Sequence, residues 1–83
     1  MIIRIHSHAR QRMRERGASA AEVRRTVASG SSRPAKFGRT VFERTASFNS
    51  RWNGKHYSTK RIEAIAAKIP GGWMVVTVLV KYF

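Results

Sequence analysis

The sequence predicts an α+β domain in which an N-terminal two-helix hairpin packs on a three- to four-stranded antiparallel sheet. Two short stretches between residues 8 and 29 carry helix start and stop signals together with an apolar stripe. From Val41 onward the chain turns β-branched and aromatic, interrupted by Asn53-Gly54 and by Pro70-Gly71-Gly72, residues that reverse a strand. At 83 residues it is a single domain spanning 1–83, long enough to bury about two thirds of its unfolded surface.

Taken in order, residues 2–5 are a short extended lead-in that packs Ile3 or Ile5 on the helix that follows. Ser7 is the expected N-cap of a first helix over 8–16, and Gly17 supplies its left-handed end. On that helix His8, Arg12 and Arg16 recur every four residues as one row, beside an apolar row of Ala9 and Met13. Ser19-Ala-Ala-Glu22 reads as a capping box that opens a second helix from Ala20 to Ser29. Ala20, Val23 and Val27 form its buried stripe, Arg24 and Arg25 lean outward, and Gly30 ends it.

Residues 30–40 read as a loop by their Gly, Ser and Pro content. Phe42, Ala46, Phe48 and Trp52 then fall at even positions of a strand, and Asn53-Gly54 favours a type I′ turn into a return strand at 55–57. Residues 62–69 continue as an extended segment; the alternative is a helix over 61–68, whose period Ile62, Ile65 and Ala66 also fit. Residues 73–82 are strongly β and apolar on both faces through Val80, so they form a central strand covered by the helices. The other face of the sheet, expected to be partly open and lined by basic and aromatic residues, is where a ligand is sought.

Charge narrows the partner. Seventeen Lys and Arg face four carboxylates, a formal net charge of +13, so nucleic acid, an acidic protein or an anionic membrane is the expected partner. The membrane is set aside, because no apolar run approaches the roughly twenty residues that span one. The chain has no cysteine, which excludes disulfides and thiolate metal sites and is compatible with a reducing compartment. Its start, Met-Ile-Ile-Arg-Ile-His, is too short and polar for a signal peptide, and the expected location is cytoplasmic.

His8-Ala9, Arg12-Met13 and Arg16-Gly17 precede a Ser-initiated second helix, a Tyr-containing strand and Val-Val-Thr-Val at 75–78. Together they resemble the family of small bacterial proteins called domain of unknown function 4258. The resemblance covers nearly the whole chain in order. Its specific part is the His-Ala-x-x-Arg-Met-x-x-Arg-Gly run; Ala18 departs from it, since a larger aliphatic residue is usual there. That family is grouped with the RelE-, BrnT- and barnase/EndoU/colicin-like ribonuclease fold. Its better-known relatives are toxins of toxin-antitoxin modules and toxin tips of contact-dependent inhibition systems. The resemblance implies RNA cleavage, with His8, Arg12, Arg16 and Thr77 as the positions carried over. It also implies an acidic antitoxin or immunity protein as partner.

The residue types suit that chemistry. RNA cleavage without a metal needs a base for the ribose 2′-OH, a cation for the phosphorane and an acid for the 5′ oxygen. His8 and His56 offer imidazoles for either end. Arg12, Arg16 and Lys55 can hold the phosphate. Thr77 and Tyr82 can orient it or donate a proton if they share the open face. His6 reads as structural or solvated, and Glu43 and Glu63 as internal salt-bridge partners. No metal or small-molecule cofactor is expected: His6 and His8 make a weak pair without further ligands, and no acidic cluster suits two-metal catalysis. The alternative is a non-catalytic basic RNA- or DNA-binding module, in which Trp52, Tyr57 and Phe48 stack bases while Arg51, Lys55, Lys60 and Arg61 neutralise the backbone.

Overall fold

The computed structural model describes residues 1–83. Its elements follow as β1 (Ile2–Ile5), α1 (Ser7–Arg16), α2 (Ala20–Ser29), β2 (Ser31–Pro34), β3 (Thr40–Trp52), β4 (Lys55–Ile69) and β5 (Gly72–Tyr82), with a 3₁₀ turn at Lys36–Gly38 between β2 and β3. All five strands form one mixed sheet in the order β1-β5-β4-β3-β2. The α+β class and the helical hairpin are as expected, whereas the strand count and the purely antiparallel sheet are corrected. The lead-in at 2–5 is a strand that runs parallel to β5, with Ile2 opposite Gly72 and Ile5 opposite Val75. The expected loop at 30–40 contains β2, an exposed edge strand that pairs Ser31 with Glu43 and Pro34 with Thr40. Its proline is tolerated because an edge strand leaves one row of backbone groups unpaired.

The helix ends follow local chemistry. Gly17 takes φ 81° and its amide donates to the Met13 carbonyl, closing α1. The start lies one residue earlier than expected: His6, not Ser7, is the N-cap, its Nδ1 accepting the His8 amide at 3.1 Å. On α2 the capping box forms in both directions, Glu22 N–H to Ser19 Oγ and Ser19 N–H to Glu22 Oε1. Asn53 at φ 50° and Gly54 at φ 81° turn β3 into β4, the paired positive values a type I′ turn needs. Residues 61–68 lie within the fifteen-residue β4, not in a helix.

The helical hairpin covers one face of the sheet. Ala9, Met13, Val23 and Val27 pack there on Phe42, Ile62, Ala64, Ala66, Val75 and Val78. Ala64 and Ala66 are fully buried; their small side chains let the helices approach the strands closely. Burying each of Val23, Val75 and Val78 contributes about 1.5–3 kcal/mol.

The opposite face carries an ion-pair ladder. Glu63, 7% exposed, accepts from Arg33 at 2.8 Å and lies 3.9 Å from Lys81. Glu43 accepts from Arg33 at 3.2 Å and lies 3.9 Å from Arg61. Both glutamates are thus internal partners. The aromatic side chains expected on this open face lie mainly on the helix side instead, around Tyr82, whose hydroxyl donates to the Arg16 carbonyl of α1.

Candidate functional site

A bulge on β5 shapes the site. Ile65 pairs with Thr77 and Ala66 with Val75, which leaves Val76 as an extra residue between them. Bulges of this kind re-aim side chains and recur beside active sites. After the bulge Val78 points to the helical core and Thr77 to the other face. The His6 amide donates to the Val75 carbonyl at 2.9 Å, which fixes the β1-to-α1 connection to β5 just before the bulge.

Here His6, His8, Val76, Thr77 and Arg39 line a cleft of about 430 Å³. Arg39 arrives from the far side of β4. It follows the 3₁₀ turn, whose loop is closed by the Ala35 amide donating to the Arg39 carbonyl at 2.8 Å. His8 and Arg39 are exposed, and neither side chain is held by a carboxylate. Because His6 Nδ1 accepts the His8 amide, neutral His6 carries its hydrogen on Nε2. The N-terminal end of α1 adds the positive end of a helix dipole. The cleft therefore presents one free imidazole, one fixed imidazole donor, one guanidinium and one hydroxyl, a set suited to an anionic ligand.

Residues 5–80 match the model of the family described as Domain of unknown function (DUF4258). The chain belongs to that family. No curated protein and no solved structure matches it. All five residues lining the cleft fall within the span shared with the DUF4258 family.

The remaining expected site residues of this family member lie elsewhere. Arg12 forms an ion pair with Glu15 at 2.9 Å, one turn on from the cleft. Arg16 donates to the Val78 carbonyl at 2.6 Å, tying the end of α1 to β5. It sits about 12 Å along the helix axis from His8. His56 faces Arg51 at the tip of the β3–β4 hairpin. Nine residues of β4 separate it from Ile65, the partner of Thr77, a distance of about 30 Å. Tyr82 and Thr77 lie an odd number of residues apart on a regular stretch of β5, so they occupy opposite faces. The cleft thus unites His8 and Thr77 from the expected set and adds His6 and Arg39, neither of which was expected to be functional.

The expected nucleic-acid residues are divided as well. Trp52 stacks on Tyr82 with centroids 5.3 Å apart and planes 13° apart, and Tyr57 and Phe48 complete the cluster. Lys60 is only 6% exposed, and its ammonium donates to the Gly17 carbonyl and to Glu22, over the rings of Phe48 and Tyr82. It is an internal tie between β4 and the helix turn. Arg61 lies on the opposite face beside Glu43 and Phe83. Arg51 donates to the Gly54 carbonyl within the hairpin turn, and Lys55 lies over Tyr57. Of the four cations expected to bind nucleic acid, only Arg51 and Lys55 at the tip are exposed.

Tyr82 yields a test of this cluster. Burial first, and the negative charge of Glu22 second, push its phenol above the ordinary value of 10.0. A phenol kept neutral by folding stabilises the protein fully below its unfolded value, and this stabilisation is lost as pH rises through the raised one. Thermal melts of wild type and Tyr82→Phe in alkaline buffer are expected to converge as pH climbs past 10.0. A gap that stays constant across that range contradicts the raised value.

Proposed function

We propose that this protein is a metal-independent endoribonuclease that cleaves RNA by 2′-OH attack at the His6–His8–Arg39–Thr77 cleft. The observation that carries the reading is the convergence of two imidazoles from one helix start, a hydroxyl from one bulged strand and a guanidinium from the loop before β3. His8, whose imidazole is free, takes the proton of the ribose 2′-OH as the new O2′–P bond forms. Arg39 and the Nε2–H of His6 donate to the non-bridging oxygens, where negative charge grows. The Thr77 hydroxyl, donor and acceptor at once, relays a proton from water to the departing 5′ oxygen as the P–O5′ bond breaks, and the hydroxide left behind takes back the proton that His8 accepted, restoring both water and neutral His8. The products are a 2′,3′-cyclic phosphate and a 5′-hydroxyl.

Electrostatics supports an RNA substrate. All four carboxylates are paired internally, while most of the 17 cations have no anionic partner. A growth-inhibiting toxin of the RelE/BrnT-like kind, acting in the cytoplasm and neutralised by an acidic antitoxin or immunity protein, fits this chemistry. No helix is long and apolar enough to cross a membrane, and no three His, Asp or Glu side chains gather as metal ligands. The alternative, a non-catalytic basic RNA- or DNA-binding module, would rest on the hairpin aromatics, but their faces are largely spent on one another and on Lys60.

The test is incubation with total RNA in excess chelator, with and without ribosomes. The expected result is discrete fragments ending in cyclic phosphate, none from RNA whose 2′ oxygens are methylated. Intact RNA in every condition, from protein shown to be folded and RNA-bound, would leave the binding module as the better reading.

A further inference from the structure

The loop between β2 and β3 carries a side chain that folding does not explain. Phe37 is 89% exposed and sits in the left-handed region at φ 61°, ψ 33°, followed by Gly38 at φ 69°. A bulky aromatic is among the residues least suited to that conformation. It touches no other ring, whereas Phe48, Trp52, Tyr57, Trp73 and Tyr82 all pair with one.

Its surroundings point to a ligand. The same loop walls a second cleft of about 410 Å³, lined by residues 32–35 and 38–40, the segments on either side of Lys36 and Phe37. A cavity of this size holds a small organic ligand. Arg33 is committed to Glu63 and Glu43, so the free cations are Lys36 and Arg39, which flank Phe37 on either side in sequence. Arg39 also lines the His6–His8–Thr77 cleft, so the two cavities share this residue. The hydroxyls of Ser32 and Thr40 give the second cleft neutral donors and acceptors but no carboxylate.

From these features we infer that the β2–β3 loop is a nucleotide subsite: it takes the nucleotide next to the cleaved phosphate of a single-stranded RNA, stacking its base on Phe37. This rests on the reading of the first cleft as the cleavage site. Arg39 then lies between two successive phosphates, and the exposed ring meets a base face instead of water. A duplex, whose bases are stacked on one another, offers Phe37 no free face, so the subsite selects unpaired RNA.

The test uses a short, fluorescein-labelled single-stranded RNA with 2′-fluoro riboses, which binds but cannot be cut, and a set of copies each with one abasic residue. Wild type, Phe37→Ala and Phe37→Tyr are compared by anisotropy, beside cleavage of the unmodified RNA. Phe37→Ala is expected to weaken binding about tenfold, the scale of one base–aromatic stack, and Phe37→Tyr to restore it. One abasic position should weaken wild type to the same degree and leave Phe37→Ala unaffected. Equal affinities of wild type and Phe37→Ala, with cleavage intact, overturn the subsite alone. If wild type neither binds nor cleaves, the subsite and the nuclease reading fall together.

Discussion

His8→Ala is expected to lower RNA cleavage about 10²- to 10⁴-fold, the range one general base contributes, while RNA affinity stays within about twofold because the phosphate contacts that dominate affinity remain. His8 is the site residue that can be changed with least structural disturbance. Its side chain is exposed and makes no hydrogen bond, and its amide still finds His6 Nδ1. Single-turnover rates with a defined RNA, read beside anisotropy and a thermal melt, separate the three quantities. A melt like that of wild type with a rate reduced by less than about tenfold would remove His8 from the chemistry. Thr77→Val is the companion variant, since valine preserves the β-branched shape and deletes only the hydroxyl; its rate should fall with affinity unchanged. Arg16→Ala supplies the contrast. Its guanidinium holds the Val78 carbonyl, so its loss is expected first in the melting temperature.

The parts of the fold that were legible in the sequence are those fixed by near neighbours. Ser19 and Glu22 contain the whole capping box, Gly17 can end a helix by itself, and Asn53-Gly54 holds the turn geometry in two residues. What escaped depends on residues far apart in the chain. β1 is a strand only because β5, some seventy residues later, offers it a parallel edge. β2, written Ser-Ser-Arg-Pro, has no strand propensity and exists through its pairing with β3. In the site, His8 and Thr77 could be singled out because an imidazole at a helix start and a hydroxyl amid valines stand apart from their neighbours. Arg39 could not. It is one arginine among many, and its value comes from a loop that carries it across β4. His6 was read as structural or solvated, and it is indeed the exposed N-cap of α1; that it also lines the cleft depends on Thr77 and Arg39, far along the chain.

That dependence of the site on β1 makes Gly72 the position where a single methyl group should have the largest structural effect. Ile2 lies directly opposite Gly72, and a Cβ built there would stand 1.7 Å from the Ile2 carbonyl oxygen and 2.6 Å from its carbon. The obstruction is backbone, which cannot swing aside as a flexible side chain can, so Gly72→Ala must push β1 off the sheet. With it go the burial of Ile5 and the parallel hydrogen bonds, a loss of roughly 3 kcal/mol or more by comparison with large-to-small core changes. For a domain this small that is a fall in melting temperature on the order of 15 °C. Hydrogen exchange should accelerate at the amides of Ile2 and His6, which donate to Gly71 and Val75, before it does in the β3–β4 hairpin. Cleavage should fall as well, because His6 and His8 follow β1 directly and lose their anchor beside Thr77. A Gly72→Ala protein that melts within about 2 °C of wild type and keeps its His6 amide protected would mean that β1 does not hold the cleft together.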